Sequence, residues 1–69
     1  MTGVVKKLAI DKGFGFIRGE DNREYFFHRS AVDRSSSTPF EMMEEERTRV
    51  EFEPGTSEKG PRATDVCPI

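Results

Sequence analysis

The sequence holds one cysteine, Cys67, and no tryptophan among 69 residues. A single thiol cannot close an internal disulfide, and small secreted domains generally lean on several. The expectation is a reduced, cytoplasmic protein in which Cys67 is an inert thiol. No His or Cys set has metal-ligand spacing, so neither a metal nor a cofactor is expected. Apolar runs fall well short of the roughly 20 residues that cross a bilayer, so no membrane partner is expected. Met1 to Lys7 lacks the apolar stretch and cleavage site of a secretory signal. A nucleophile–base pair and a phosphate-cradling glycine loop are also missing, which argues against an enzyme and against a small-molecule substrate. Positive charge is not in excess: eleven Lys and Arg face thirteen Asp and Glu, for a net charge of −2. That excludes the simplest nucleic-acid signature, a domain of pI above about 9.

What is present points to one small folded domain spanning 1–69. Charged residues make up 35% of the chain and hydrophobic ones 33%, a balance close to disorder, but six Phe and one Tyr supply core material. The charge is uneven. Residues 1–30 carry six basic and four acidic side chains, and residues 31–53 carry three and seven. The basic side chains thus concentrate in the first half.

The punctuation is that of a β protein. Strands are expected at Val4 to Ile10, Phe14 to Arg18, Glu24 to His28, Arg47 to Glu53 and Arg62 to Val66. Asp11-Lys12-Gly13, Gly19 to Arg23, Pro54-Gly55 and Lys59-Gly60-Pro61 read as turns between them. Ser35-Ser36-Ser37 is a loop by composition. Thr38-Pro39-Phe40-Glu41 has the capping-box pattern with Pro at the first helical position, which predicts one or two helical turns. Met42 and Met43 are expected to cap the barrel end, and Glu44-Glu45-Glu46 to be a solvated helix face or turn. Five short strands in so short a chain predict an all-β fold, a small five-stranded antiparallel OB-type barrel, with the helical turn between strands 3 and 4.

The informative stretch is Lys12-Gly13-Phe14-Gly15-Phe16-Ile17-Arg18, followed by Tyr25-Phe26-Phe27-His28. In a strand alternate residues share a face. Lys12, Phe14, Phe16 and Arg18 then lie on one side, with Gly13, Gly15 and Ile17 on the other. Both strands have apolar residues on both faces, so alternation alone does not decide which set is core. The surplus does: Val4, Val5, Leu8, Ile10, Ile17, Tyr25, Phe27, Val50, Phe52 and Val66 already suffice for a small interior. Phe14, Phe16, Phe26 and His28 are left as an outward aromatic cluster flanked by Lys12 and Arg18. Exposed rings beside cations suit the stacking of unpaired bases. Arg62 fits either a phosphate or a surface glutamate, and its surroundings in sequence do not separate the two.

These blocks resemble the bacterial cold-shock domain family. Lys12 to Ile17 matches its first nucleoprotein motif, and Tyr25-Phe26-Phe27-His28 its second. Gly3-Val4-Val5-Lys6, His28-Arg29-Ser30-Ala31-Val32 and Lys59-Gly60-Pro61-Arg62-Ala63 are similar to further family landmarks, in order along nearly the whole chain. The RNA-recognition-motif family shares the first motif but places the second before it and needs two full helices. The resemblance implies an OB-type barrel that binds single-stranded RNA and single-stranded DNA with low sequence specificity. It implies a binding surface of Lys6, Lys12, Phe14, Phe16, Phe26 and His28, with Phe40 closing over the strand end. Lys59, Gly60 and Pro61 would contribute from a loop. An RNA-chaperone or cold-shock and stress role in transcription and translation follows by resemblance alone.

The chain departs from the family at two places. Lys7-Leu8 stands where a Trp-Phe pair is usual, and Arg29 stands where an aromatic commonly follows the histidine. Lys7 replaces a stacking platform with a cation, while the Arg29 guanidinium can stack or pair with phosphate. Fewer stacks and a steeper salt dependence are expected. A monomer is expected, with a dimer as the alternative. The rival reading is a protein-interaction barrel that docks a partner on the same aromatic face.

Overall fold

A computed structural model describes residues 1–33 and 38–69, so the expected loop at Ser35 to Ser37 lies outside the described residues. Five strands run β1 (Thr2–Ala9), β2 (Phe14–Gly19), β3 (Glu24–His28), β4 (Arg49–Ser57) and β5 (Gly60–Pro68). They close into a barrel in the order β1-β2-β3-β5-β4, as the OB-type expectation requires. The strand pairings are antiparallel except that of β3 with β5, which is parallel. A closed ring with an odd number of strands cannot alternate direction all the way round, so one parallel seam is unavoidable.

The interior is filled by inward residues from every strand: Val5, Ile17, Tyr25, Phe27, Val50, Phe52, Ala63 and Val66. Tyr25 packs on Phe52 with ring centroids 5.0 Å apart. Val32, Phe40 and Met43 close the core from the connection between β3 and β4. Among the expected core residues, Val4 and Leu8 are only half-buried, and Ile10 is 45% exposed because it falls in the turn after β1. Met43 is buried as expected, whereas Met42 projects outward at 68% exposure.

Pro54-Gly55 is a correction to the sequence reading. It lies within β4, with Pro54 opposite Ala63 and Gly55 opposite Arg62. Proline is excluded from a strand mainly because it lacks the N–H that a ladder needs. Here β1 accompanies β4 only from Arg49 to Glu51, with two more bonds between Met1 and Phe52, the Phe52 N–H donating to the Met1 carbonyl and the Met1 amino group to the Phe52 carbonyl. Beyond that the outer edge of β4 has no neighbouring strand among the described residues, and the missing N–H costs nothing. The turn falls instead at Glu58-Lys59, closed by Gly60 at φ +117°.

The helical segment between β3 and β4 is one turn long, the shorter of the two lengths expected. Phe40–Met42 forms a single 3₁₀ turn, and Pro39 is its cap residue in extended backbone, not its first helical residue. Burial of Phe40, whose ring meets Phe27 edge-on at 5.9 Å, fixes the segment in place of a capping box. A second 3₁₀ turn, Arg29–Ala31, follows β3 directly. The acidic run is not simply solvated. The Glu45 carboxylate accepts the Leu8 N–H at 2.8 Å and the Glu46 N–H donates to the Val5 carbonyl at 2.6 Å. These bonds occupy the edge of β1 that β4 does not reach.

Candidate nucleic-acid interface

Cross-strand register assembles the site. Phe14 stands opposite His28 and Phe16 opposite Phe26, whereas Gly15 faces Phe27 and Ile17 faces Tyr25. Directly paired residues point to the same side of a sheet. Gly15, Ile17, Tyr25 and Phe27 are therefore buried, while Phe14, Phe16, Phe26 and His28 are half-exposed together on the outer face. The choice that alternation left open is thereby decided in favour of outward rings.

The three outward rings touch one another. Phe14 lies 5.4 Å from Phe26 at an interplanar angle of 33°, and Phe16 meets Phe26 and Phe14 edge-to-face at 5.8 and 6.1 Å. Such contacts lie in the favourable range for aromatic pairs and hold each ring in place. Gly15 permits the arrangement from behind. A Cβ there would meet the Lys7 carbonyl oxygen at 2.6 Å and the Phe27 ring at 2.9 Å.

Lys7 reaches this face through a bulge. Val5 pairs with Ile17 and Lys7 with Phe16, so Lys6 is the extra residue on β1. Strict alternation from buried Val5 would turn Lys7 inward. The bulge re-aims it, and both lysines are exposed. Lys7 consequently sits beside Phe16 on the aromatic face. Lys6 reaches the carboxylate of Glu24 at 3.0 Å, an exposed pair worth at most about 1 kcal/mol.

The other expected residues are distributed around the rings. Lys12 lies in the turn before β2, not on the strand, so it does not share the alternation of Phe14 and Phe16. Gly13 in that turn has φ +79°, and its carbonyl accepts the Arg29 N–H at 2.8 Å. The Arg29 stem passes over Gly13, with Cδ 3.2 Å from where a Cβ would stand. The guanidinium is thus carried on the same end of the sheet as Phe14 and His28. His28 Nδ1 accepts the N–H of Ser30 at 3.1 Å and lies 2.9 Å from its hydroxyl. Phe40 is 4% exposed and packed on Phe27, so the structure places it in the core and not on the aromatic face.

Two open grooves flank the rings. One, of about 540 Å³, has Phe16 and Phe26 as its floor and Ser57, Glu58, Lys59, Pro61 and Arg62 as its wall. Lys59 and Pro61 thus stand beside Phe16 and Phe26, with Gly60 between them at the start of β5. The second, of about 530 Å³, runs from His28 and Arg29 to Pro39, Phe40 and Glu41. Arg62, which sequence alone left between two roles, stands opposite Phe26 across the parallel seam. Its place beside inward Ala63 hints at an outward side chain, but only the β3–β5 pairing gives it a neighbour. Among the described residues, no group of three His, Cys, Asp or Glu side chains is placed to hold a metal ion, and no helix is long and apolar enough to cross a membrane.

Residues 1–69 match the family described as "'Cold-shock' DNA-binding domain". The chain is 41% identical over 67 residues to Cold shock protein 1 of Lactiplantibacillus plantarum, covering 97% of this chain and 96% of that protein. It is 45% identical over 68 residues to Probable cold shock protein A of Mycolicibacterium smegmatis, covering 97% and 96%. Cold shock-like protein CspG of Escherichia coli K12 is 39% identical over 70 residues, covering 100% and 94%.

Proposed function

The chain belongs to the family of "cold-shock" DNA-binding domains, and from that premise we propose that it binds single-stranded RNA and single-stranded DNA by stacking unpaired bases. One observation carries the reading: Phe14, Phe16 and Phe26 share an outer face with His28, and cationic side chains surround them. Stacking of a base on an aromatic side chain is worth about 1–3 kcal/mol by truncation and accepts any base, so sequence preference is loose. A duplex hides its base faces and gains nothing from such rings.

The ring geometry also supports a chaperone role. Phe16 stands at 74° to Phe26. Bases lying on these two rings cannot lie parallel to each other, so binding splays neighbouring bases and competes with helix formation in the nucleic acid. Phe14, Phe16 and Phe26 are the stacking residues. His28 and Arg29 attend the end of the row near Phe14, and Lys6, Lys7, Lys12 and Lys59 supply charge to the backbone. Pro61, beside Gly60, gives the groove an apolar wall. The role is binding without catalysis, in the cytoplasm, with the protein acting as a monomer. A peptide-docking face would gain little from cations beside the rings, whereas a polyanion gains directly.

A titration with labelled pyrimidine-rich single strands of about eight nucleotides and a matched duplex, at two salt concentrations, tests the reading. The single strand is expected to bind more tightly, and more weakly as salt rises. Equal affinity for the duplex would replace stacking with plain electrostatics.

A further inference from the structure

Four residues from four strands fall in one cross-strand row. Lys7 of β1 pairs with Phe16 of β2, Phe16 with Phe26 of β3, and Phe26 with Arg62 of β5. The row reads cation, ring, ring, cation, perpendicular to the strands. Lys7 and Arg62 are exposed, and neither forms an ion pair among the described residues, in contrast to Lys6, which is engaged by Glu24. Adjacent strands lie about 4.8 Å apart, so three spacings put the two cationic positions roughly 14 Å from each other. Arg62 also walls the groove whose floor is Phe16 and Phe26.

We propose that this row is a clamp for a two-base step of a single strand: the bases lie on Phe16 and Phe26, and Lys7 and Arg62 hold the phosphates on the outer sides of that step. The proposal rests on the single-strand reading above and adds a direction, a length and a charge requirement. The nucleic acid runs along the row, across β1, β2, β3 and β5. The clamp prefers a step that carries a phosphate at each end. Its two jaws differ chemically. The Lys7 ammonium is a point charge on a flexible stem, whereas the Arg62 guanidinium offers a planar fork that can bond a phosphate through two N–H groups. Row geometry thus turns the replacement of a ring at position 7 into a designated phosphate partner, not a mere reduction in stacking area.

Two measurements on the full chain test the clamp. First, the salt dependence of single-strand affinity is compared for the wild type, Lys7→Gln, Arg62→Gln and the double variant. Removing one phosphate-binding cation is expected to lower the log–log slope by about 0.7, and removing both by about 1.4. Arg47→Gln, whose partner is Glu44 in the turn before β4, is expected to leave the slope unchanged. Second, dithymidylates with no terminal phosphate, a 5′ phosphate, a 3′ phosphate or both are titrated by NMR. The doubly phosphorylated ligand is expected to bind the wild type most tightly. Lys7→Gln should erase the advantage of one terminal phosphate and Arg62→Gln that of the other. Unchanged slopes, or both variants erasing the advantage of the same phosphate, would overturn the clamp while single-strand binding stands. Absence of any preference for single strands over duplex would overturn the stacking reading itself. Both side chains are exposed, so folding of the variants, checked by circular dichroism, is expected to match the wild type.

Discussion

His28 Nδ1 accepts a hydrogen bond from the Ser30 backbone N–H at 3.1 Å, capping the 3₁₀ turn that begins at Arg29. A ring nitrogen that accepts carries no proton. The neutral imidazole of His28 therefore holds its proton on Nε2, leaving a donor available for an acceptor atom on a base or phosphate. Nitrogen-15 NMR of the neutral ring at alkaline pH is expected to report the Nε2–H tautomer. Ser30→Ala removes the hydroxyl that lies 2.9 Å from Nδ1 but keeps the backbone donor, and should keep the tautomer. An Nδ1–H ring in either protein would contradict the capping geometry.

Phe26 makes the two shorter contacts of the three-ring cluster, at 5.4 Å to Phe14 and 5.8 Å to Phe16. Its removal takes away a platform and also frees Phe14 and Phe16 to turn. Phe26→Ala is expected to weaken single-strand binding by about 1–3 kcal/mol, read by anisotropy of a labelled strand. The Phe14→Ala and Phe26→Ala effects should not add, because the two rings are in contact. Unaltered affinity in both single variants would remove stacking as the source of binding.

Gly15 faces Phe27 across the β2–β3 ladder and lies beneath the outward rings. A methyl group there meets a backbone oxygen at 2.6 Å and a core ring at 2.9 Å, and the backbone cannot yield without disturbing the β1–β2 pairing. Gly15→Ala is expected to lower stability by about 1–3 kcal/mol in urea unfolding, as overpacked sites do. Since Lys7 supplies that oxygen, weakened binding should accompany the reduced stability. A variant as stable as the wild type would mean that β1 and β2 can separate locally at no cost.

Much of this arrangement is legible in the chain itself, and the residues that escape it share a cause. Alternation groups Phe14 with Phe16 and Phe26 with His28, and the surplus of other core candidates, Ile17, Tyr25 and Phe27 among them, decides that these groups face outward. Lys7 does not follow from alternation, since a bulge at Lys6 shifts the phase, and only the resemblance put it on the binding face. Arg62 stays undecided in sequence because its neighbour Phe26 lies 36 positions earlier, across the parallel seam. Pro54-Gly55 carries turn chemistry that a strand tolerates only where its partner ends, which is a fact about β1. Phe40 has the composition of a loop anchor, and its burial depends on the open end of the barrel around Phe27. Local patterning is written in neighbouring residues, whereas bulges, seams and strand ends are set by partners distant in sequence.

The Tyr25 hydroxyl donates to the Asp21 carboxylate at 2.6 Å, tying the β2–β3 hairpin to a residue whose ring packs on Phe52. This bond holds the Asp21 carboxyl below its ordinary 3.8, with the Arg23 N–H assisting, and raises the Tyr25 hydroxyl above its ordinary 10.0. A depressed carboxyl contributes stability that is complete above its unfolded value and is lost as pH falls through the folded one. A raised phenol contributes stability that is complete below its unfolded value and is lost as pH rises through the folded one. One hydrogen bond thus gives a plateau with two falling edges. Tyr25→Phe keeps the ring against Phe52 and removes only the donor. The stability difference between wild type and variant, measured by urea unfolding across pH, is expected to be widest between about pH 5 and pH 9 and to shrink toward either extreme. The Asp21 carboxyl, followed by NMR titration, should move upward in the variant. A difference that stays constant with pH would show that the hydroxyl acts through packing and not through Asp21.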